Sequence, residues 1–268
     1  MLTTTTTGTA PAAGPATTTQ PAIATGTATG TGYATSVAAS EEQVRAAQRL
    51  RHQVFTRELG ARIDTPLAGH DIDAFDALAD HLIVTEQATG EVVGTYRMLP
   101  PGRTEASYAG GEFDLQELAG IRSDLIEVGR ACVHPDHRDG AVIAMMWSGL
   151  ARYALLSGHR YLGGCASVPL DDGGRAAAHA WLLGTGKHAA PEGFRVHPRQ
   201  PWNPSGPSDG PPSQALLPPL LRGYLRLGAW MCGAPAHDPE FDVADFFVLL
   251  DLERLSDRHR RFFLGEAR

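Results

Sequence analysis

Between Leu125 and Leu156 the chain makes its clearest change of period, from strand to helix. Leu125–His134 reads as a β-strand, and Pro135-Asp136-His137-Arg138-Asp139-Gly140 reads as a turn. A long helical pattern then runs from about Ala141 to Leu156. A strand that feeds a helix through a tight turn is the building unit of an α/β sheet, so this segment fixes the fold class. It also aims the first N–H groups of a helix at open space, where the macrodipole favours an anion.

The rest of the pattern agrees with that class. Val44, Ala47, Leu50, Val54 and Phe55 follow helical spacing, with Ser40 as the expected N-cap. Two β-rich runs, His81–Glu86 and Val92–Leu99, are separated by Thr89-Gly90 and form an expected hairpin. After the central unit come a Gly-punctuated strand, Tyr161–Val168, and a helix around Arg175–Leu183. A helix at Gln214–Leu227 and strands at Ala229–Gly233 and Asp245–Asp251 follow. Pro191 to Ser213 is dense in Pro and Gly and reads as a surface loop insertion. The expected architecture is a mixed central sheet flanked by helices, in one domain over residues 41–262.

Residues 1–40 carry no charged side chain and are dominated by Thr, Ala, Gly and Pro, which reads as a disordered tail. Their apolar pairs are too interrupted for a secretory signal, which needs about 7–15 continuous apolar residues. No stretch approaches the roughly 18 consecutive apolar residues of a membrane span. A net charge of −7 argues against a general nucleic-acid binder. Cys132, Cys165 and Cys232 are odd in number and sit in apolar or Gly-rich stretches, so they read as buried reduced thiols of a cytoplasmic protein.

Three features bear on chemistry, each with two readings. Arg138, Gly140 and Ala141 at the turn supply a cation and a close backbone approach for a phosphate, or simply a turn. Glu127 and Arg130 interrupt an apolar strand. They are either an ordinary solvent-facing pair or are turned to one face by a β-bulge at Gly129, because residues three apart otherwise face opposite sides. The polar loop with Asp71, Asp73, Asp76 and Asp80, flanked by Arg51 and Arg97, suits a small zwitterion or is a solvated acidic loop. Asp80-His81 lacks a second ligand pair, so no metal is expected. No Gly-x-Ser-x-Gly elbow or Cys/His pair suggests a nucleophile.

Taken together, Arg51-x-x-x-Phe55, Asp73-Ala74-Phe75-Asp76, Asp80-His81-Leu82, Val93-Gly94-Thr95-Tyr96-Arg97 and Glu127-x-x-Arg130 resemble the acyl-homoserine-lactone synthases. The chain more closely resembles their relatives, the bacterial ornithine N-acyltransferases. That closer match rests on the run Glu127 to Arg138, on Tyr161-Leu162-Gly163-Gly164-Cys165, on Leu217-Pro218-Pro219-Leu220-Leu221 with Tyr224 to Gly228, and on Asp238 to Phe241 with Asp245-Phe246-Phe247. The resemblance spans residues 45–262 and implies the GNAT (acyl-CoA N-acyltransferase-like) fold, with a splayed sheet whose fourth strand and following helix hold a pantetheine arm. It further implies acyl carrier protein as donor through its phosphopantetheine thioester, with no bound cofactor. The implied acceptor is L-ornithine, acylated on its α-amine with a 3-hydroxy fatty acid. The glycine signature at Arg138–Ala141 is shorter than in coenzyme A-using acetyltransferases, which suits a donor with a single phosphate.

An amine attacks a thioester only as its free base, so a proton acceptor is required. The expected roles are Glu127 as base and Arg130 as its partner or as a guide for the acceptor. Arg51 and Arg97 are expected to bind the acceptor carboxylate or organise the acidic loop, and Asp73 and Asp76 to recognise the cationic side chain. Arg138, Gly140 and Ala141 are expected at the donor phosphate. Alternatives within the fold are an acyl-homoserine-lactone synthase or an acyltransferase for another amino acid; outside it stands a non-enzymatic sensor of acyl carriers or membranes. Leu216–Leu227, with Arg222 and Arg226, has the composition of a peripheral membrane-contact helix at the inner face, although a core helix is the simpler reading.

Overall fold

A computed structural model describes residues 26–27, 32–58, 63–204, 210–239 and 241–264. Its main elements are β1 (Tyr33–Val37), α1 (Glu41–Glu58), β2 (Asp80–Glu86), β3 (Val92–Leu99), β4 (Leu125–Val133) and α2 (Ala141–Leu156). They continue as β5 (Tyr161–Pro169), α3 (Arg175–Thr185), α4 (Pro219–Leu227), β6 (Val243–Asp251) and α5 (Asp257–Leu264). β1 to β6 lie side by side in chain order; α2 makes the crossover between β4 and β5, which are parallel, while the other neighbours are antiparallel. The architecture is the expected mixed sheet flanked by helices.

Side-chain alternation, broken once in β3 where Val93 is an extra residue in the register with β2, assigns the layers. Leu82, Val84, Val93, Tyr96, Met98 and Ile126 point to one face, where α2 covers them with Val142, Met146 and Leu150. Ile83, Val92 and Cys132 point to the other, under Ala47, Leu50 and Val54 of α1. Fully burying a side chain of this size stabilises by about 1.5–3 kcal/mol, so these two interfaces dominate cohesion of this half. α2 seats closely because Gly94 lies beneath it: a Cβ there would stand 2.6 Å from Cγ1 of Val142. In the other half, α3 and α4 cover β5 and β6 through Ala177, Leu183, Leu221, Leu225, Phe246 and Val248.

Several boundaries depart from expectation. Tyr33–Val37, placed in the tail by composition, is a strand paired antiparallel with β2. Tyr33, Thr35 and Val37 alternate as a strand requires, and Tyr33 and Val37 pack against the α2 core. The tail expected over 1–25 and 28–31 lies outside the described residues. Pro191–Ser213 is pinned where it is described: His197–Pro198 pairs with Phe113–Asp114, and the Trp202 N–H donates to the Pro235 carbonyl at 2.9 Å. Pro218 and Pro219 divide the expected Gln214–Leu227 helix into a single turn and α4, with Pro219 in the first helical turn. α4 packs into the core through Leu221 and Leu225 and leaves Arg226 outside, which is the simpler reading of this helix. Among the described residues no helix is long and apolar enough to cross a membrane.

Candidate active site

β4 and β5 pair over only Leu125↔Tyr161, Ile126↔Leu162 and Glu127↔Gly163. Beyond that point β4 follows β3 and β5 follows β6, and the sheet splits. Gly164 stands at the fork because any Cβ there would be driven into the Val128 carbonyl oxygen. Two cavities open from the fork and share Tyr96, Val128, Cys165 and Tyr224. One, of about 850 Å³, is lined by Asp73, Tyr108, Glu112, Arg130, Ser167 and Asp245, among others. The other is an apolar slot of about 50 Å³ against Trp147, Leu150, Leu162 and Val248. The Tyr96 and Tyr224 hydroxyls bond to one another where the cavities meet.

The expected bulge is present, one residue beyond Gly129. Thr95 pairs with Cys132 and Arg97 with Gly129, so Arg130 and Ala131 together oppose Tyr96. Arg130 takes a left-handed φ of 53°, a conformation that costs a non-glycine residue on the order of 1–3 kcal/mol. Its contacts offset that cost: Nε lies 3.3 Å from Asp71 and Nη2 3.4 Å from Asp73, and Nη1 donates to the Tyr108 hydroxyl at 2.8 Å.

The acidic loop and its arginines form one interleaved network. Arg51, with no exposed surface, donates to Asp71 at 2.8 Å and Asp76 at 2.6 Å. Arg97 donates to Asp73 at 2.6 Å and Asp76 at 3.3 Å. Burial alone would raise the Asp76 carboxyl, yet the adjacent Arg51 and Arg97 charges and the Asp73 N–H hold it down at about 2. Arg51, Arg97 and Asp76 therefore organise the loop and do not line the large cavity, whereas Asp73 and Arg130 do line it. Both guanidinium groups are engaged by carboxylates of the acidic loop. Asp76 is not among the residues that line the large cavity and is engaged by both arginines.

Glu127 departs furthest from its expected place. Its oxygens accept the backbone N–H groups of Tyr108, at 3.1 Å, and Ala109, at 2.6 Å, and no bond joins it to Arg130. It lines a separate cavity beneath the 99–127 loop, beside Ser107 and Leu118. The bulge turns Arg130 toward the acidic loop, so Glu127 and Arg130 are linked through Tyr108 instead of touching. Arg138 is also engaged, with Glu58 at 2.7 Å and the Val133 carbonyl at 2.9 Å. Gly140 has a φ of 97° ahead of α2, and the Ala141 N–H donates to Asp139 at 2.9 Å.

Sequence reasoning missed a carboxyl pair on the cavity wall. Glu112 lies just after the Ala109–Gly111 turn, and Asp245, 3% exposed, lies in β6 opposite Ser167. Both line the large cavity, and Ser167 Oγ donates to Asp245 at 2.6 Å. Burial, followed by the Asp245 charge, pushes Glu112 up to about 8; burial and the Asp238 charge push Asp245 up to about 6. The available signal was an ionisable residue inside the apolar run Val243 to Leu250. All three cysteines are free, and burial raises each thiol. Among the described residues no group of three His, Cys, Asp or Glu side chains is placed to hold a metal ion.

Comparison with known proteins agrees with this architecture. Residues 50–148 match the model of the acetyltransferase (GNAT) domain. An L-ornithine N(alpha)-acyltransferase of Rhodobacter capsulatus is 36% identical over 248 residues, covering 85% of this chain and 93% of the relative. The enzyme of the same description from Brucella abortus is 33% identical, covering 86% and 88%. Among solved structures, the coenzyme A-dependent acyl-homoserine lactone synthase BjaI superposes with a TM-score of 0.50 at 20% identity, over 83% of this chain and 82% of that one. The synthase LasI superposes with a TM-score of 0.50 at 15% identity, over 88% and 98%. These two likenesses establish the fold. The chain is an acyltransferase and belongs to the L-ornithine N(alpha)-acyltransferase family, on the GNAT fold.

Proposed function

We propose that the protein transfers a 3-hydroxy fatty acyl group from the phosphopantetheine thioester of acyl carrier protein to the α-amine of L-ornithine, the first step of ornithine lipid synthesis. The observation that carries this reading is the meeting of two unlike cavities at the fork. The apolar slot suits the start of an acyl chain. The larger cavity has Arg130 as the cation among its described lining residues, with carboxyls outnumbering it, and this balance suits an amino acid bearing two ammonium groups and one carboxylate. The names of the relatives point to the same acceptor.

In this reading Arg130 binds the acceptor carboxylate, and Asp73 steers both Arg97 and Arg130. A backbone N–H at the bulge faces the tetrahedral oxyanion, a contribution of about 3–4 kcal/mol in comparable sites. On the donor side, Asp139 already sets a carboxylate at the start of α2, where a pyrophosphate would be repelled. Arg138 beside it, with its side chain 43% exposed, is the cation for a single phosphate. The reaction belongs in the cytoplasm, where the three thiols stay reduced. The test is thiol release from 3-hydroxyacyl carrier protein with a panel of amino acids. L-ornithine should be the preferred acceptor; preference for another amino acid, or release from acyl-coenzyme A alone, would overturn the acceptor or the donor assignment.

A further inference from the structure

We propose that Glu112 and Asp245 share one proton and act together as the proton acceptor of acyl transfer. The inference rests on the acyl-transfer reading of the fork. Oε2 of Glu112 is shielded from solvent, and no N–H or O–H of the described residues donates to it. The buried Asp245 carboxyl lines the same cavity. Burial and the Asp245 charge both disfavour ionising Glu112, so the two carboxyls lose their protons one after the other as a coupled pair.

Position supports the role. Cys165 follows the fork residue Gly164 and lines both cavities, and Glu112 and Asp245 line the larger cavity with it. Elimination supports it too. Asp71 and Asp73 are matched by arginines, Glu127 by two backbone N–H groups, and Asp172 by the Ala176 N–H at the start of α3. Asp64 and Asp171 are exposed to water. Glu112 and Asp245 are surrounded differently: Asp238 from the neighbouring strand adds a like charge, Cys165 and Ser167 of β5 supply weak or neutral partners, and the Arg130 charge acts on Asp245 from β4.

The α-ammonium of the acceptor gives one proton to the singly ionised pair, and the freed nitrogen bonds to the thioester carbonyl carbon. Collapse of the tetrahedral intermediate breaks the carbon–sulfur bond, and the remaining excess N–H proton goes to the departing thiolate. The pair then returns its proton to solvent through the open cavity. No oxidant, reductant or further reactant is needed.

The experiment measures thiol release from 3-hydroxyacyl carrier protein and L-ornithine across pH for wild type and Glu112→Gln. Loss of a general base costs roughly 10²–10⁴-fold in rate. We expect kcat to fall at least ~100-fold, acceptor KM to change less than about threefold, and the acidic limb of the wild-type profile to disappear from kcat. A variant within about threefold of wild type, or a loss confined to acceptor KM, overturns the inference. Glu112 sits on a loop, so its variant is expected to fold, and circular dichroism checks this. The shared proton has a substrate-free readout: the protonated-carboxyl stretch in the infrared spectrum at pH 7, expected in wild type and lost in Glu112→Gln. Its absence from wild type also overturns the inference. A wild type that shows this band yet releases no thiol with any acceptor contradicts the acyl-transfer reading instead.

Discussion

The Arg130 guanidinium lies 4.8 Å from the centre of the Tyr108 ring and donates to its hydroxyl at 2.8 Å. Tyr108 therefore holds Arg130 both by its face and by its edge, while Glu127 fixes the Tyr108 backbone from below. The motif pair Glu127 and Arg130 works through an intermediary that no spacing rule contains. A hydrogen bond to a charged group contributes about 1.5–3 kcal/mol. Tyr108→Phe keeps the ring and loses that bond, so acceptor KM should rise roughly tenfold with a smaller change in kcat, as read by steady-state kinetics.

Glu127→Gln places an amide NH₂ opposite one of two backbone N–H donors. An unsatisfied buried donor costs about 1–3 kcal/mol, so this variant should lose stability together with activity. Glu112→Gln should behave oppositely. Its carboxyl has a folded pKa raised above the unfolded value, so the native state holds a proton that the unfolded state releases as pH rises from about 4 to about 8. That linkage lowers stability across this window, and a neutral amide removes the penalty. Denaturation at pH 7.5 should show Glu112→Gln more stable than wild type and Glu127→Gln less stable; equal stability of the two would break the distinction between a holding carboxylate and a reacting one.

Asp76 gives the opposite sign. Its folded pKa, about 2, lies below the unfolded value of roughly 3.9. The stability this supplies is complete above pH ~4 and is lost as pH falls toward 2. Arg51→Met should cost about 3–5 kcal/mol, because it leaves Asp71 and Asp76 charged and buried without their shared partner, and should weaken the pH dependence below 4. Urea denaturation at several pH values measures both.

Gly164→Ala tests the fork. A methyl group there meets the Val128 carbonyl and must push β4 and β5 apart, which at typical overpacking costs destabilises by about 1–3 kcal/mol. Activity should fall far more than thermal stability, since Val128 and Cys165 line both cavities. Unchanged turnover would show that the fork is not where transfer happens.

How much of this was legible in the sequence depends on whether a residue acts along its own element or across elements. The strand-to-helix unit was readable because Ile126, Val128, Val142 and Met146 keep the periods of a strand and a helix. The bulge was readable because Glu127 and Arg130 are three apart in a strand, although its position shifted to Arg130 itself. β1 was missed because five alternating residues were outweighed by the Thr- and Gly-rich composition around them. The carboxyl pair was missed because Glu112 sits in a loop and Asp245 in a strand over a hundred residues later, and only the sheet order brings them together. Arg51, Arg97 and Asp76 were correctly singled out as a cluster, yet charge alone did not tell an inward-facing network from a binding site; the burial of Arg51 does.

The most direct measurement of the central claim is the site of acylation in the product. After incubation with 3-hydroxyacyl carrier protein and L-ornithine, tandem mass spectrometry distinguishes a chain on the α-nitrogen from one on the side-chain nitrogen. The account predicts α-acylation with stoichiometric release of carrier thiol. Acylation of the side-chain nitrogen, or thiol release without an acylated amino acid, would contradict it.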